Sequence, residues 1–270
     1  MRRFEPGVLL CSGGIDSVTL LYWLRATNSL RGVVQVDYGQ ASAAHQAELL
    51  RKHTHRLGIP DRLVRVEKIP WPEHARGRGY IFNTGSYPAP LDDPYAPVYY
   101  DEEQNKRYVK EQFDHLQGRN VVFLTYAAAW AISLGCSVLH TAFQYDAPVW
   151  AVLDRGGIED SDVGRPFVRE YNHLAASGAF SEPLRVSTPL LDWRLTKSQI
   201  ATIATWLGAN LHDTHSCEFY PACGQCGQCL IRARTFAQLG ILFTSRAAGI
   251  VLPVAAGLFA WQDPNRENPK

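Results

Sequence analysis

Two stretches of this chain hold residue types whose spacing can do chemistry. In the first, Ser12-Gly13-Gly14-Ile15-Asp16-Ser17 lies between an apolar run, Val8 to Leu10, and a run with apolar residues at Val18, Leu20, Leu21 and Leu24. Strand, tight turn and helix N-terminus in that order make an anion site. Two glycines let the backbone approach a ligand closely, successive N–H groups turn inward, and the hydroxyls of Ser12 and Ser17 add donors. Such a loop should hold phosphate. It lacks the lysine of a Walker loop and does not match GxGxxG. The alternative is a plain Ser/Gly turn in which Asp16 is a first-turn acid favoured by the helix dipole.

The second stretch is Cys217 to Cys229, where Cys217, Cys223, Cys226 and Cys229 are separated by five, two and two residues with glycines between them. Four thiolates on tight glycine turns suit tetrahedral Zn²⁺ at roughly 2.3 Å per Zn–S bond. Because protein would fill all four positions, the metal is expected to be structural rather than catalytic. An iron–sulfur cluster uses the same ligands and is the rival. The remaining cysteines, Cys11 and Cys136, read as small core residues.

The elements that must position these groups alternate between strand and helix, the pattern of an α/β fold. Gly32 to Asp37 reads as a second strand ending at Tyr38-Gly39-Gln40, and strand ends beside a phosphate loop are where open α/β sheets place ligands. Ala41 to Leu57 has a helical pattern that sets Glu48 within reach of Arg51 or Lys52. A short strand follows at Leu63 to Val66. Residues 68 to about 115 break the pattern with six prolines and several tyrosines, and are expected to be a lid, a partner surface or a loose insert. Gly118-Arg119-Asn120 opens a buried helix over Val121 to Leu134, and Val138 to Phe143 reads as a strand ending in Gln144-Tyr145-Asp146. An irregular loop runs from Ala147 to Arg165, then a helix from Pro166 to Ala176 and a strand from Val186 to Leu191. Thr196 reads as the N-cap of a helix reaching about Leu207. Lys197 then sits in a first turn, where the dipole disfavours a cation unless it faces a bound anion.

Composition bounds the rest. The 270 residues are expected to form a single domain, 1–270, with an insert at about 68–115 and a zinc-binding region at about 210–240. Lys plus Arg is 27 against 26 for Asp plus Glu, a net charge of +1 that advertises neither nucleic acid nor membrane as a partner. No apolar leader follows Arg2 and Arg3, so a cytoplasmic enzyme is expected. The apolar stretch Ile250 to Trp261 contains Pro253 and Gly257 and is too short to span a bilayer.

SGGIDS resembles the SGGxDS pyrophosphate loop of the ATP-pyrophosphatase (PP-loop) superfamily, whose members split ATP between its α and β phosphates. Taken with DYGQ (37–40), GRN (118–120), TPLLDWRLTKSQI (188–200), THSC (214–217) and CGQCGQCLIRARTF (223–236), the chain resembles the 7-cyano-7-deazaguanine synthase (QueC) family over nearly its whole length. The resemblance implies a Rossmann-like doubly wound parallel sheet of the adenine nucleotide alpha hydrolase kind, with a C-terminal four-cysteine zinc-binding helical region, and a homodimer. It implies ATP bound by Ser12, Gly13, Gly14, Ile15, Asp16, Ser17, Tyr38, Gln40, Gly118, Arg119 and Asn120. Catalytic roles fall to Ser12, Asp16, Ser17 and Lys197, with Mg²⁺ held by Asp16 and Zn²⁺ by the four cysteines. Asp146, Arg165 and Arg119 would meet the substrate, a 7-deazaguanine carboxylate that is adenylated, amidated by ammonia and dehydrated to the nitrile.

The departures from the family concern that last group. Asp146 is followed by Ala-Pro-Val-Trp where the family usually has Tyr-Pro-Asp-Cys-Arg; with Arg165 aligned to that arginine, Asp162 and Val163 replace the proline and aspartate, and Gln117 replaces the proline before GRN. A second reading therefore stands beside the first: a QueC-like enzyme of an antiphage defence system that passes the activated deazaguanine to an amine of a partner protein. A third, from another reaction class, is a tRNA-thiolating PP-loop enzyme. A degenerate scaffold is the weakest, because the loop keeps both serines and the aspartate.

Overall fold

In the computed structural model of the chain, residues 4–71, 98–101, 106–109, 118–145, 163–217, 220–222, 224 and 227–241 are described. Five strands form one parallel sheet: β1 (Gly7–Leu10), β2 (Leu30–Asp37), β3 (Val64–Lys68), and, later in the chain, β6 (Val138–Thr141) and β7 (Arg185–Ser187), in the order β3-β2-β1-β6-β7. Between them in sequence, β4 (Val98–Asp101) and β5 (Lys106–Val109) pair antiparallel as a separate ribbon inside the expected insert. Residues 68–71 of that insert continue from β3, and residues 72–97, 102–105 and 110–117 lie outside the described residues.

The chain steps outward from β1 to β2 and β3, then returns to place β6 on the other side of β1. The carboxyl ends of β1 and β6 therefore flank the point where strand order reverses, which is where open α/β sheets hold ligands. β1 is apolar and β6 is buried throughout because both faces of the sheet are covered. On one face, helices α1 (Ile15–Ala26) and α2 (Ala43–Arg56) bury Leu20, Leu21, Leu24 and Leu50 against Leu9 and Val33. On the other, α3 (Arg119–Ser133) and α4 (Arg165–Leu174) bury Leu124, Ala128, Val168 and Tyr171 against Val8, Val34, Leu139 and Val186.

Two sequence expectations are revised. The apolar residues of α1 suggest one buried face, yet the helix is buried on nearly every side. It is sandwiched between the sheet and α6 (Lys197–Trp206), where Ile15 and Val18 meet Ile200, Ala201 and Ala204. The expected strand Val186 to Leu191 stops at Ser187, because Pro189 starts a short helix, α5 (Pro189–Asp192), whose Leu190 and Leu191 are fully buried. A proline fixes φ at a helical value and lacks only an N–H that a first turn leaves unpaired anyway. The expected cap is present: Thr196 accepts from the Gln199 N–H while the Gln199 side chain accepts from the Thr196 N–H, a reciprocal capping box. The last described helix is α7 (Gly227–Gln238). Among the described residues no helix is long and apolar enough to cross a membrane.

A fully buried imidazole ties three of these elements together. His53 of α2 lies 3.1 Å from the Tyr22 hydroxyl of α1 through Nδ1, and 2.8 Å from the Asp213 carbonyl through Nε2. A carbonyl only accepts, so Nε2 carries the proton and Nδ1 accepts from Tyr22. Burial pushes the His53 pKa below the ordinary histidine value by more than the hydrogen bond to Asp213 raises it. The unfolded chain then binds this proton more readily than the folded one, so the stability His53 contributes is complete above about pH 6.5 and is lost as pH falls through and below that value. His140, also pushed down by burial, acts with the same sign. The melting temperature should fall between about pH 7 and pH 5.5, and the fall should be shallower in His53→Gln. Equal slopes in thermal melts of the two proteins would count against this assignment.

Candidate active site

The loop after β1 is built to expose backbone donors. Cys11 N–H extends the ladder by one bond to the Val34 carbonyl (2.8 Å), and Gly13 then takes a left-handed conformation at φ 80°. A side chain there would be strained and would also press within 3.3 Å of the Gln46 carbonyl oxygen. Gly14 is extended at the start of α1, and no side chain caps the helix. The N–H groups of its first turn remain directed at whatever occupies the loop. Ser17 Oγ donates to the Gly14 carbonyl at 3.1 Å and lies 3.3 Å from Ser12 Oγ, so the two hydroxyls sit side by side at the turn.

Asp16 stands in that first turn. Its Oδ2 is 2.5 Å from Lys197 Nζ, and both side chains are largely withdrawn from solvent. The lysine that sequence reasoning directs at an anion thus meets one within the chain, brought to it by the packing of α6 on α1. The other carboxylate oxygen, Asp16 Oδ1, is buried and has no hydrogen-bond partner. A hard carboxylate oxygen left over beside a phosphate loop is the donor that Mg²⁺ takes together with phosphate oxygens. Asp16 fits the ion, and Oδ1 is the atom that would hold it.

The other expected nucleotide residues border the loop. At the end of β2, Gln40 is buried: its Oε1 accepts the Tyr38 N–H (2.9 Å), and its Nε2 lies 3.1 Å from Gln46 Oε1. The Tyr38 ring packs at 5.0 Å from the Phe123 ring of α3, joining this strand end to the helix that begins with Arg119 and Asn120. Gly118 precedes that helix at φ 73°, and Asn120 is buried. Arg165, first residue of α4, donates to the Leu191 carbonyl at 3.3 Å, placing it at the carboxyl end of β7. Asp146 lies outside the described residues.

Of the zinc ligands expected from sequence, Cys217 and Cys229 are buried, whereas Cys223 and Cys226 lie outside the described residues. Among the described residues, no three His, Cys, Asp or Glu side chains gather as metal ligands would.

Two features escape a reading of the sequence. His215 N–H donates to the Gly13 carbonyl at 3.0 Å, so the segment leading to Cys217 clasps the phosphate loop. Above it, the His45 ring stacks on Tyr220 at 4.2 Å and meets His215 edge-on at 5.2 Å. His45 Nδ1 is 4.0 Å from Glu48, too far for a hydrogen bond, and burial holds its pKa below the usual value. Backbone contacts of this kind leave no signature in residue type. The second feature is the distribution of unmet polar atoms. Among the described residues, buried side-chain atoms without a hydrogen-bond partner include Asp16 Oδ1, Gln35 Oε1, His45 Nδ1, Thr141 Oγ1, Gln144 Oε1 and Ser216 Oγ, all on or beside the segments that adjoin the loop. Two further unmet atoms, Trp23 Nε1 and His140 Nδ1, belong to rings packed on Phe4, away from the loop. Buried polar groups in folded proteins are nearly always paired, so the six near the loop mark a place that a polar ligand completes.

A family model described as Queuosine biosynthesis protein QueC matches residues 7–76 and 94–240. Among curated relatives, the 7-cyano-7-deazaguanine synthase of Anaeromyxobacter sp. (strain Fw109-5) is 31% identical over 252 residues, 89% of this chain and 95% of that protein. The enzyme of the same name from Magnetococcus marinus is 29% identical, covering 89% of this chain and 96% of its own. Among solved structures, the U34-tRNA thiolase NcsA from Methanococcus maripaludis, with its 4Fe–4S cluster, is similar at a TM-score of 0.44 and 14% identity, over 79% of this chain and 60% of that one. A likeness at that level carries no functional argument. The family match runs from the first strand through the phosphate loop and Lys197 to the last described helix, and the chain belongs to the QueC family.

Proposed function

We propose that this chain adenylates the carboxylate of 7-carboxy-7-deazaguanine with ATP and converts it, through the amide, to 7-cyano-7-deazaguanine. The observation that carries the reading is Asp16, with one oxygen on Lys197 and the other buried and unpartnered at an uncapped helix N-terminus. The names of the relatives supply the product, 7-cyano-7-deazaguanine, and its carboxylate precursor is the substrate we assign.

A carboxylate resists attack by an amine until one of its oxygens becomes a leaving group. Its oxygen attacks the α-phosphorus of ATP, the bond to the bridging oxygen breaks, and pyrophosphate departs. The chain's work is to receive that charge: the N–H groups of the Gly13 to Ser17 turn and the Ser12 and Ser17 hydroxyls face the departing oxygens. Mg²⁺ held at Asp16 Oδ1 would supply further positive charge against the pyrophosphate. Lys197 orients Asp16 through the hydrogen bond to Oδ2, and adds a cation at the phosphates. Ammonia then attacks the acyl carbon of the mixed anhydride and AMP leaves, giving the amide and releasing a proton. With a second ATP the amide oxygen attacks phosphorus in the same way, and loss of AMP and two protons from C and N leaves the nitrile. No side-chain nucleophile is needed. Zn²⁺ on Cys217, Cys223, Cys226 and Cys229 would be a structural clamp, and a homodimer is the assembly we assign.

The altered sequence between Asp146 and Arg165 favours one alternative, in which the acyl-adenylate passes to an amine of a protein partner, as in an antiphage defence system. Both readings share the adenylation step and differ in the acceptor. The tRNA-thiolating alternative lacks a comparable support, since the net charge of +1 offers no strong field for RNA.

Incubation with 7-carboxy-7-deazaguanine, ATP and ammonia should yield the nitrile by mass spectrometry, with two AMP formed per nitrile. AMP without nitrile would move the reading to the protein-amine acceptor; no AMP at all would overturn it. Asp16→Asn preserves an acceptor for Lys197 while removing the charge. AMP formation should fall at least about 100-fold with the fold retained by circular dichroism, whereas Asp16→Ala, which strands a buried lysine, should also lose stability. Cys226→Ser should lower bound zinc and melting temperature together. Iron with sulfide in place of zinc in the purified wild-type protein would return the thiolation reading.

A further inference from the structure

The unmet polar atoms around the loop are not evenly shared between the two strand ends that flank β1. At the end of β2, the Gln40 amide is used on both sides, by the Tyr38 N–H and by the Val36 carbonyl and Gln46, and the Asp37 carboxylate accepts the Gly39 N–H at 3.0 Å. The side chains of that turn are paired with one another, and the unmet atom of β2, Gln35 Oε1, lies two residues before Asp37, inside the strand. At the end of β6, by contrast, Thr141 is 1% exposed and its hydroxyl has no partner, and three residues on the carbonyl of the Gln144 amide is buried without a donor.

The location of Thr141 is set by the sheet, and Gln144 lies three residues further along the chain. Thr141 lies in register with Leu10, the last residue of β1 before the loop. Side chains alternate along a strand, and Leu139 packs into the cluster of α3 and α4, so Thr141 faces the same side, towards the end of the sheet where α3 starts with Arg119 and Asn120. Phe143 packs in that same cluster. The hydroxyl therefore sits on the carboxyl edge beside the switch point, across β1 from the Tyr38 to Gln40 turn.

A buried hydroxyl with no partner costs stability that a valine of the same shape would not cost, and an amide carbonyl buried without a donor adds to that cost. A fold tolerates such groups where a ligand completes them. The chemistry they ask for is specific. Gln144 Oε1 accepts one N–H, and Thr141 Oγ1 both donates one hydrogen bond and accepts another. Their complement is a planar polar heterocycle that presents N–H donors beside a carbonyl acceptor, the edge of a fused aminopyrimidinone, and neither group suits phosphate as a charged donor would.

We propose that Thr141 and Gln144 recognise the heterocycle of the acyl substrate, making the end of β6 the wall that selects the acid while the loop and the β2 end hold ATP. This rests on the functional reading above, and it assigns recognition to the last residue of β6 and to a residue just past it rather than only to the altered sequence between Asp146 and Arg165.

The test compares wild type, Thr141→Val, Gln144→Leu and Gln144→Glu by isothermal titration with 7-carboxy-7-deazaguanine, by titration with a non-hydrolysable ATP analogue, and by thermal melting without ligand. Thr141→Val and Gln144→Leu should each weaken binding of the acid about 10-fold or more and leave the ATP-analogue affinity within about 2-fold. Gln144→Glu, which keeps an acceptor oxygen, should retain more of the acid affinity than Gln144→Leu. The ligand-free melting temperature of Thr141→Val should be equal to or above that of wild type, the reverse of what a hydroxyl serving the fold would give. Acid affinity unchanged in both Thr141→Val and Gln144→Leu overturns the assignment while leaving the function standing, as does a lowered melting temperature in Thr141→Val with acid affinity intact. A wild-type protein that binds the ATP analogue but not the acid overturns the functional reading, and this assignment with it.

Discussion

The ion pair between Asp16 and Lys197 is the contact on which the candidate site depends. A buried ammonium and a part-buried carboxylate 2.5 Å apart come from helices far apart in sequence, α6 and α1. Burying such a pair seldom adds net stability, because desolvation offsets most of the attraction, and breaking it leaves one charge stranded. Its worth is positional. The lysine holds the carboxylate turned so that one oxygen points away unpartnered, and the apolar contacts of Ile15 and Val18 with Ile200, Ala201 and Ala204 bring the two helices close enough for it to do so. Hydrophobic packing thus fixes a charge arrangement that packing alone would never favour.

A second chain of contacts connects the cysteine region to the same loop. Arg232 of α7 is buried, donates to Thr214 Oγ1 at 2.5 Å and to the Leu211 carbonyl at 2.8 Å, and lies over the Phe236 ring at 4.3 Å. Burial lowers its pKa to about 10, which still leaves it a cation at neutral pH. One residue beyond Thr214, the His215 N–H holds the Gly13 carbonyl, and His53 grips Asp213 from the other side. The peptide that directs the loop's N–H groups inward is therefore braced by the segment running into Cys217. A metal that ordered the cysteines would stiffen the phosphate loop through this brace, without touching the chemistry.

Much of this was legible in the residues. Ser12 to Ser17, the Thr196 cap and the strand–helix alternation each rest on local rules, glycines at a turn, a hydroxyl before a helix, an apolar run in a buried strand, and such rules act over a few residues. The misreadings came where distant packing decided. Val186 to Leu191 is apolar enough for a strand, but Pro189 turns it into a helix whose leucines are buried from another direction. The position of Lys197 in a first turn signals a nearby anion, but residue type does not disclose that Asp16, 181 positions away, is one such partner. The clasp of His215 on Gly13 is made by backbone atoms, which every residue shares, so no side-chain pattern could announce it.

The same logic explains why the substrate side of the site was harder to read than the nucleotide side. Phosphate is bound by backbone N–H groups and a helix end, a solution that requires glycines at set positions and so marks the sequence strongly. A heterocycle is bound by single hydrogen-bonding side chains, and a threonine at the end of a β-strand or a glutamine just past it is ordinary in composition. What distinguishes Thr141 and Gln144 is a deficit, polar atoms placed out of reach of water and of every described neighbour, beside an equivalent turn at Gln40 where each such atom is satisfied. That contrast arises only when the sheet brings the two strand ends to either side of β1. The difference between a site that holds any ATP and one that accepts a particular acid lies, on this view, in which of the flanking strand ends the fold leaves chemically unfinished.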